Sequence, residues 1–311
     1  MSFTTEIKNE ISKIDNTRSE SIAELSAFIR INAEIKKDSF KISTENAAVA
    51  RRIFKLIKEI YDINSIVMVR KVNLNNRNVY MLEIKQKVDL ILKDLSILND
   101  ENDIDYNPKS YIISDDEEKR AYLRGCFLAC GSINDPKTAR YHLEFLIGNK
   151  KHAELLKGLL NEKNLNSKIH KRPRGYMVYI KEAEKIGDFL RIIDASSAVL
   201  YYEDIRIYRD HKNMTNRLNN CEQANIDKII GTAHRQVEDI NIISRVMGLD
   251  LLDEKLQEAA RYRIKYSESS LSELSELIYE KEGRKITKSG LNHRFRKLKE
   301  IADMIRDKDL S

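Results

Sequence analysis

Two stretches of the chain carry the same compact pattern of apolar and small residues. Residues 21–34 read SIAELSAFIRINAE and residues 119–132 read KRAYLRGCFLACGS. The first groups Leu25, Ala27, Phe28 and Ile29; the second groups Leu123, Gly125, Phe127, Leu128, Ala129 and Gly131. Small residues among large apolar ones predict helices whose backbones can approach closely. After the first helix comes a strand-like run at 40–43, then a helix over 45–61 with Ser43 or Thr44 as its N-cap. That helix places Ala47, Ala50, Ile53, Phe54, Ile57 and Ile60 at helical spacing. Residues 65–72 and 79–85 alternate as strands about a polar turn at 74–78, and a helix over 87–98 closes the unit. After the second helix the order repeats. A strand at 141–147 and a helix at 150–161 precede strands at 168–171 and 176–180, which flank a turn at 172–175. A helix at 182–193 ends the series. The offset from Leu25 to Leu123 is 98 residues, so the pattern predicts a duplicated subdomain folded as a pseudo-dimer. The acidic segment 99–114, with Pro108, reads as the linker between halves.

The last third is helical in a different way. Residues 213–230 are polar and Asn-rich, with Met214, Leu218, Cys221 and Ala224 at helical spacing, and read as a connecting helix. From Ala233, the residues Val237, Ile240, Ile242, Ile243 and Val246 predict one helix ended by Gly248. Asp253 caps the next, over 254–266, with Leu256, Ala259, Ala260 and Ile264 inward. Ser270 and Glu273 make a capping box for a third helix that buries Leu271, Leu274, Leu277 and Ile278. After Gly283, Thr287 caps a final helix whose Leu291, Phe295, Leu298, Ala302 and Ile305 form one apolar stripe. Helix, turn, basic helix is the order of a helix-turn-helix reader.

Charge sharpens that reading. The whole chain carries a net +6. Residues 281–299 alone hold eight Lys or Arg against the single acid Glu282, so the basic excess is local. Opposite the final helix's apolar stripe lie Lys288, Ser289, Asn292, His293 and Arg296. Arg can pair bidentately with guanine and Asn with adenine. Lys285, Arg294, Lys297 and Lys299 suit phosphates, and Ser270 and Thr287 mark helix starts where free N–H groups favour anions. A second basic patch, Lys168, Lys171, Arg172 and Arg174 beside His170, is a candidate auxiliary DNA contact; Arg70, Lys71 and Arg77 are its weaker counterpart in the first half. The histidines other than His293 (His142, His152, His170, His211, His234) read as structural or surface residues. With 3 cysteines and only 3 prolines and 10 glycines, neither a disulfide scaffold nor a zinc site is expected; the cysteines read as buried free thiols. No run of about 18 apolar residues suggests a membrane span, and the start of the chain lacks a signal-peptide pattern.

The two motif helices resemble those of the LAGLIDADG homing endonucleases. In that family two such helices pack at a pseudo-twofold axis, saddle-like sheets lie on DNA, and the motif's second acidic residue binds the catalytic divalent metal. The run from Leu123 matches the motif's leucine, internal glycine and final glycine, with Cys130 in the metal-ligand place; Asn32 takes that place in the first helix. The resemblance implies degenerate metal positions at Asn32 and Cys130, no metal or other cofactor, and no nuclease activity. Neither side chain supplies the paired carboxylate charge that magnesium chemistry needs. Glu34, two residues on, lies about 200° round the helix.

The longer string YLRGCFLACGSINDPKTARYHLEF resembles the signature of the WhiA family, in which an inactive body of this type joins a helix-turn-helix. SFTTEIKNEI, NMTNRLNNCEQANIDKII and TKSGLNHRFRKL resemble that family as well, in order and across essentially the whole chain. YEKEGRK stands where the family commonly has a shorter turn. The expected fold class is α+β: a duplicated LAGLIDADG-like αββαββα body followed by an all-α helix-turn-helix domain. The expected divisions are an N-terminal arm at 1–20, repeats at 21–98 and 117–212, a linker at 99–116, a connecting helix at 213–230 and the reader at 231–311. The resemblance implies a sequence-specific transcriptional regulator in cell division, chromosome segregation and, in spore formers, sporulation. It implies a cytoplasmic, nucleoid-associated protein whose partners are promoter duplex DNA and another regulatory or cell-division protein, with no membrane or small-molecule substrate. Two alternatives stand beside it: a divergent metal-dependent DNA endonuclease, and a protein-interaction module of the division machinery.

Overall fold

The computed structural model describes residues 2–72, 77–99, 101, 103–138 and 140–309. The predicted turn at 74–78 falls largely outside them, as does the Arg77 side chain. Two compact units divide the chain, residues 1–209 and 210–311.

The first unit opens with helix α1 (Phe3–Ile11), capped by Ser2. Two copies of an αββαββα unit follow. The first is α2 (Arg18–Asn32), β1 (Glu34–Lys36), β2 (Ser39–Thr44), α3 (Ala47–Tyr61), β3 (Ile66–Val72), β4 (Arg77–Ile84) and α4 (Val88–Asp94). The second is α5 (Asp116–Cys130), β5 (Gly131–Ile133), β6 (Leu143–Ile147), α6 (Lys150–Glu162), β7 (Lys168–Arg172), β8 (Gly175–Ile180) and α7 (Ala183–Ile192). Each copy makes one antiparallel sheet, in the orders β1-β2-β4-β3 and β5-β6-β8-β7. The duplicated α+β fold expected from the pattern is therefore present.

α2 and α5 pack against each other at the centre, and small residues explain how closely. A Cβ on Gly125 would lie 2.9 Å from the Ala27 Cβ and closer still to the Glu24 carbonyl. Leu25, Ala27, Phe28, Ile29, Leu123 and Phe127 are fully buried in one core. A polar cluster crosses the same seam. Buried Glu24 accepts from Arg52 Nε at 2.9 Å, Arg124 Nε at 3.1 Å and Asn16 Nδ2 at 2.8 Å. Arg124 also reaches Asp194 Oδ2 at 2.9 Å. Tyr122 holds the matching place in the second repeat, and its hydroxyl pairs with His152 Nε2 at 2.9 Å. The repeats thus share a scaffold but fill the same position with an ion pair in one and a neutral pair in the other.

Several local expectations need correction. The N-cap of α3 is Asn46, not Ser43 or Thr44: its Oδ1 accepts from Ala48 N at 2.8 Å and Val49 N at 3.1 Å, while Thr44 ends β2. The helix expected to reach residue 98 stops at Asp94. Beyond it Ser96 turns left-handed, and the Leu95 and Ser96 carbonyls accept from Ser26 Oγ at 2.7 Å and Arg30 Nη2 at 2.5 Å. β1 and β5 are short additions that pair only at the sheet margins. The connecting helix and the helix expected from Ala233 are one element, α8 (Ser196–Val246). No Gly or Pro interrupts 196–230, and the lone Gly231 costs only about 1 kcal/mol in a helix. Cys126 is buried and Cys130 half-buried, but Cys221 is exposed on α8, against the expectation of buried thiols.

The second unit contains α8 from residue 210 onward, then α9 (Glu254–Lys265), α10 (Leu271–Glu282) and α11 (Lys288–Asp309). Its core joins Ile240, Ile243, Leu256, Leu274, Ile278 and Leu291, among others. Ile264, expected to face inward, is 43% exposed. In α9 the inward position goes to Arg263, one residue earlier, which completes the spacing from Leu256 through Ala259 and Ala260.

Candidate nucleic-acid interface

Local chemistry sets the geometry of α10 and α11. Ser270 and Glu273 form the expected capping box, with Glu273 N donating to Ser270 Oγ at 3.2 Å and Ser270 N donating to Glu273 Oε2 at 2.7 Å. Ser270 is thereby engaged in starting its own helix. Gly283 closes α10 at φ 65°, a left-handed backbone that glycine adopts without penalty. Thr287 then caps α11, its Oγ1 accepting from Gly290 N at 3.1 Å. Ser275 Oγ donates to the Ile286 carbonyl and pins the intervening turn to α10.

The apolar stripe holds α11 in place. Leu291, Phe295, Leu298 and Ala302 are buried against α9 and α10. Buried Arg263 stacks on Phe295, 5.2 Å from the ring centre, and donates to the Ser269 carbonyl at 2.6 Å and the Tyr266 carbonyl at 3.3 Å. It satisfies carbonyls where α9 gives way to α10, and burial pulls its pKa down to about 10. Nothing in the hydrophobic pattern marks an arginine for that task.

The opposite face is open. Lys285, Thr287, Lys288, Ser289, Asn292, His293, Arg296, Lys297 and Lys299 are all exposed. Among the described residues, Arg296 makes only a 3.3 Å contact with His293 Nδ1 and a 3.9 Å approach to Glu300. Arg294 differs from its expected role. It turns to α9, meeting Glu258 Oε2 at 2.8 Å and the Lys255 carbonyl at 3.2 Å. Asn292, Arg296 and Lys299 also share a cleft with Thr232 and Arg235 of α8; the sequence pattern around Arg235 showed no sign of that neighbour.

In the first unit, Lys168, Lys171, Arg172 and Arg174 are exposed on the β7–β8 hairpin. Arg70 and Lys71 are exposed on β3. Asn32 and Cys130 stand at the C-terminal ends of α2 and α5. The Asn32 Oδ1 accepts from Ser43 N at 3.1 Å, so that acceptor is engaged by backbone. Burial pushes the Cys130 thiol up to about 12, against the pull of the Lys8 ammonium. Lys8, whose own pKa burial lowers, sits over the Phe127 ring at 5.7 Å. An amide, a neutral thiol and a cation do not fit the donor set of a divalent metal. Among the described residues no group of three His, Cys, Asp or Glu is placed to hold a metal, and no helix is long and apolar enough to cross a membrane.

Comparison with known proteins places this geometry. Three family models match in sequence order: the WhiA N-terminal LAGLIDADG-like domain at residues 18–98, the WhiA LAGLIDADG-like domain at 119–212, and the WhiA C-terminal HTH domain at 215–302. A probable cell division protein WhiA from Lysinibacillus sphaericus is 44% identical, with 98% of each chain covered. One from Staphylococcus aureus is 44% identical over 99% of this chain and 98% of its own. Among solved structures, full-length DUF199/WhiA from Thermatoga maritima has the same fold, with a TM-score of 0.57 at 24% identity, covering 98% of this chain and 99% of that one. A duplicated body, a helix-turn-helix behind it and near full-length identity to named members agree on one assignment: the chain belongs to the WhiA family.

Proposed function

We propose that this chain is a sequence-specific regulator of transcription that binds promoter duplex DNA, and that it acts in cell division, the one process that the names of its relatives give for them. Chromosome segregation and sporulation are the processes that the family resemblance attaches to that role, and the nucleoid is where such a protein works. The carrying observation is the first turns of α11. Asn292 and Arg296 are exposed there, on a helix fixed from behind by Leu291, Phe295 and Leu298. A rigid helix with a free polar face fits the major groove, where these side chain types read base edges. Lys285, Lys288, Lys297 and Lys299 take the flanking phosphates, His293 lies on the same face, and Thr287 and Ser289 bring the open N-terminal amides toward one strand. Ser270 contributes through its cap, and Arg294 serves as a strut to α9 rather than a phosphate contact.

The body is proposed to have lost cutting chemistry, because Asn32 and Cys130 stand where the homing endonucleases place metal-binding acids and offer no carboxylate. The hairpin residues Lys168, Lys171, Arg172 and Arg174 then add a second, sequence-independent hold on DNA. Selection of bound duplexes from a random pool tests the whole reading. The wild-type chain enriches one motif, and Arg296→Ala and Asn292→Ala each relax one position of it. Enrichment of the same motif by both variants removes α11 as the reader. Nicking of plasmid with Mg²⁺ or Mn²⁺ by the wild type, lost in Cys130→Ala, would restore the nuclease.

A further inference from the structure

The two sheets end in strands of matching register but opposite chemistry. In the first, Ile66, Val67, Met68, Val69 and Arg70 face Glu83, Leu82, Met81, Tyr80 and Val79. In the second, Lys168, Ile169, His170, Lys171 and Arg172 face Tyr179, Val178, Met177, Tyr176 and Gly175. The inner pairs Ile42–Leu82 and Phe145–Val178 match as well, so the equivalence follows the hydrogen-bonded registers. Where β7 carries Lys168, His170 and Lys171, β3 therefore carries Ile66, Met68 and Val69. Lysine on an outer strand blocks further strand addition. β7 has that guard and β3 lacks it at the same positions. Ile66, Val67 and Val69 are 47%, 52% and 58% exposed. Val67 and Val69 also line a mostly apolar groove beside α3, with Ala50, Phe54, Tyr80 and Leu82.

We infer that the β3 edge and this groove receive an extended strand from a partner protein, with apolar side chains at alternate positions and acidic residues flanking them. The outer strand offers main-chain hydrogen bonds, and the groove selects side chains at every second position. Charge complementarity defines the flanks. Arg51 lines the groove, and Arg70 and Lys71 follow Val69 on the strand; all three are exposed and unpaired with any acid among the described residues. Lys55, on the same rim, is shared with Glu59 at 3.7 Å and Asp15 at 4.0 Å. A second copy of this strand would bring a further Arg70 and Lys71 to a rim that is already basic, and an apolar groove gives nothing to phosphates. The chain's own acidic segment is held elsewhere, with the Asp105 carbonyl accepting from Arg30 Nε at 3.0 Å.

Panning a phage-displayed random nonapeptide library on the immobilised full-length chain tests this. The selected peptides alternate Val, Ile, Leu or Phe with polar residues and carry Asp or Glu at the ends. Measured as synthetic peptides by fluorescence anisotropy, they bind Val69→Lys and Ile66→Lys at least about tenfold more weakly than wild type. Both variants install the residue that the other repeat already tolerates at that register, so their melting temperatures stay near wild type. Selection of no peptide, of peptides without acidic ends, or of peptides that bind Val69→Lys equally overturns the proposal. So does a wild-type dimer in light scattering that Val69→Lys dissolves, which assigns the edge to a second copy. Loss of duplex DNA binding in Val69→Lys would assign it to DNA.

Discussion

Arg294 and Arg296 are two residues apart on α11 and face different surroundings. Arg294 closes a half-buried pair with Glu258 at 2.8 Å, whereas Arg296 stands in solvent. Arg294→Ala is expected to lower stability by about 1 kcal/mol. Arg296→Ala is expected to leave stability unchanged and weaken cognate DNA by about 1–3 kcal/mol. Denaturant melts and binding isotherms on the two variants separate these roles; equal stability loss in both would remove the distinction. His152 supplies a second residue-level prediction. Burial, assisted by nearby Arg30, depresses its pKa from 6.5 to about 3. The unfolded chain takes up a proton that the folded chain refuses. The stability His152 contributes is thus fully present above pH 6.5 and drains as pH falls toward about 3, at up to about 1.4 kcal/mol per unit. His152→Gln should flatten that part of the acid limb in far-UV circular dichroism; an unchanged slope would show that other groups carry it. Arg263 and Arg294 show what composition hides. Both count toward a basic cluster or a helix face on paper, and both are spent on holding helices together.

Elements are where the hydrophobic pattern proved most informative. α2 and α5 were marked by Leu25, Ala27, Leu123 and Gly125, and these residues do form the seam. Gly125→Ala puts a methyl group against the Glu24 carbonyl and 2.9 Å from Ala27 Cβ. Overpacking there should cost about 1–3 kcal/mol, read as a lower melting temperature of the body. A variant as stable as wild type would mean that the helices can move apart freely. The caps at Asp253, Ser270 and Thr287 were also legible, because each is a short-range relation between one side chain and amides two or three residues on. α4 and α8 were not. α4 ends early because tertiary donors on α2 claim the Leu95 and Ser96 carbonyls, and α8 runs on because nothing in its sequence stops it.

At the scale of the molecule, DNA affinity should depend steeply on salt. Lys285, Lys288, Arg296, Lys297 and Lys299 are exposed on or beside one helix face, and each phosphate neutralised adds about −0.9 to the slope of log K against log salt. Lys297→Ala should reduce the slope by about 1 without changing the preferred sequence. Removing Lys171 and Arg174 together should reduce it further if the body holds the same duplex. An unchanged slope in that double variant would confine DNA binding to the second unit.

The amino-acid sequence by itself determined the duplication, the α+β class, the helix-turn-helix and the basic face of its last helix. These follow from periodicity, caps and charge, which are relations between residues close together in the chain. Tertiary structure alone decided which cations are free and which are struts, that Glu24 and Tyr122 fill one place with different chemistry, and that β3 is left apolar where β7 is guarded. Those outcomes depend on partners many residues away, and a side chain's work is set by the neighbour that folding brings to it.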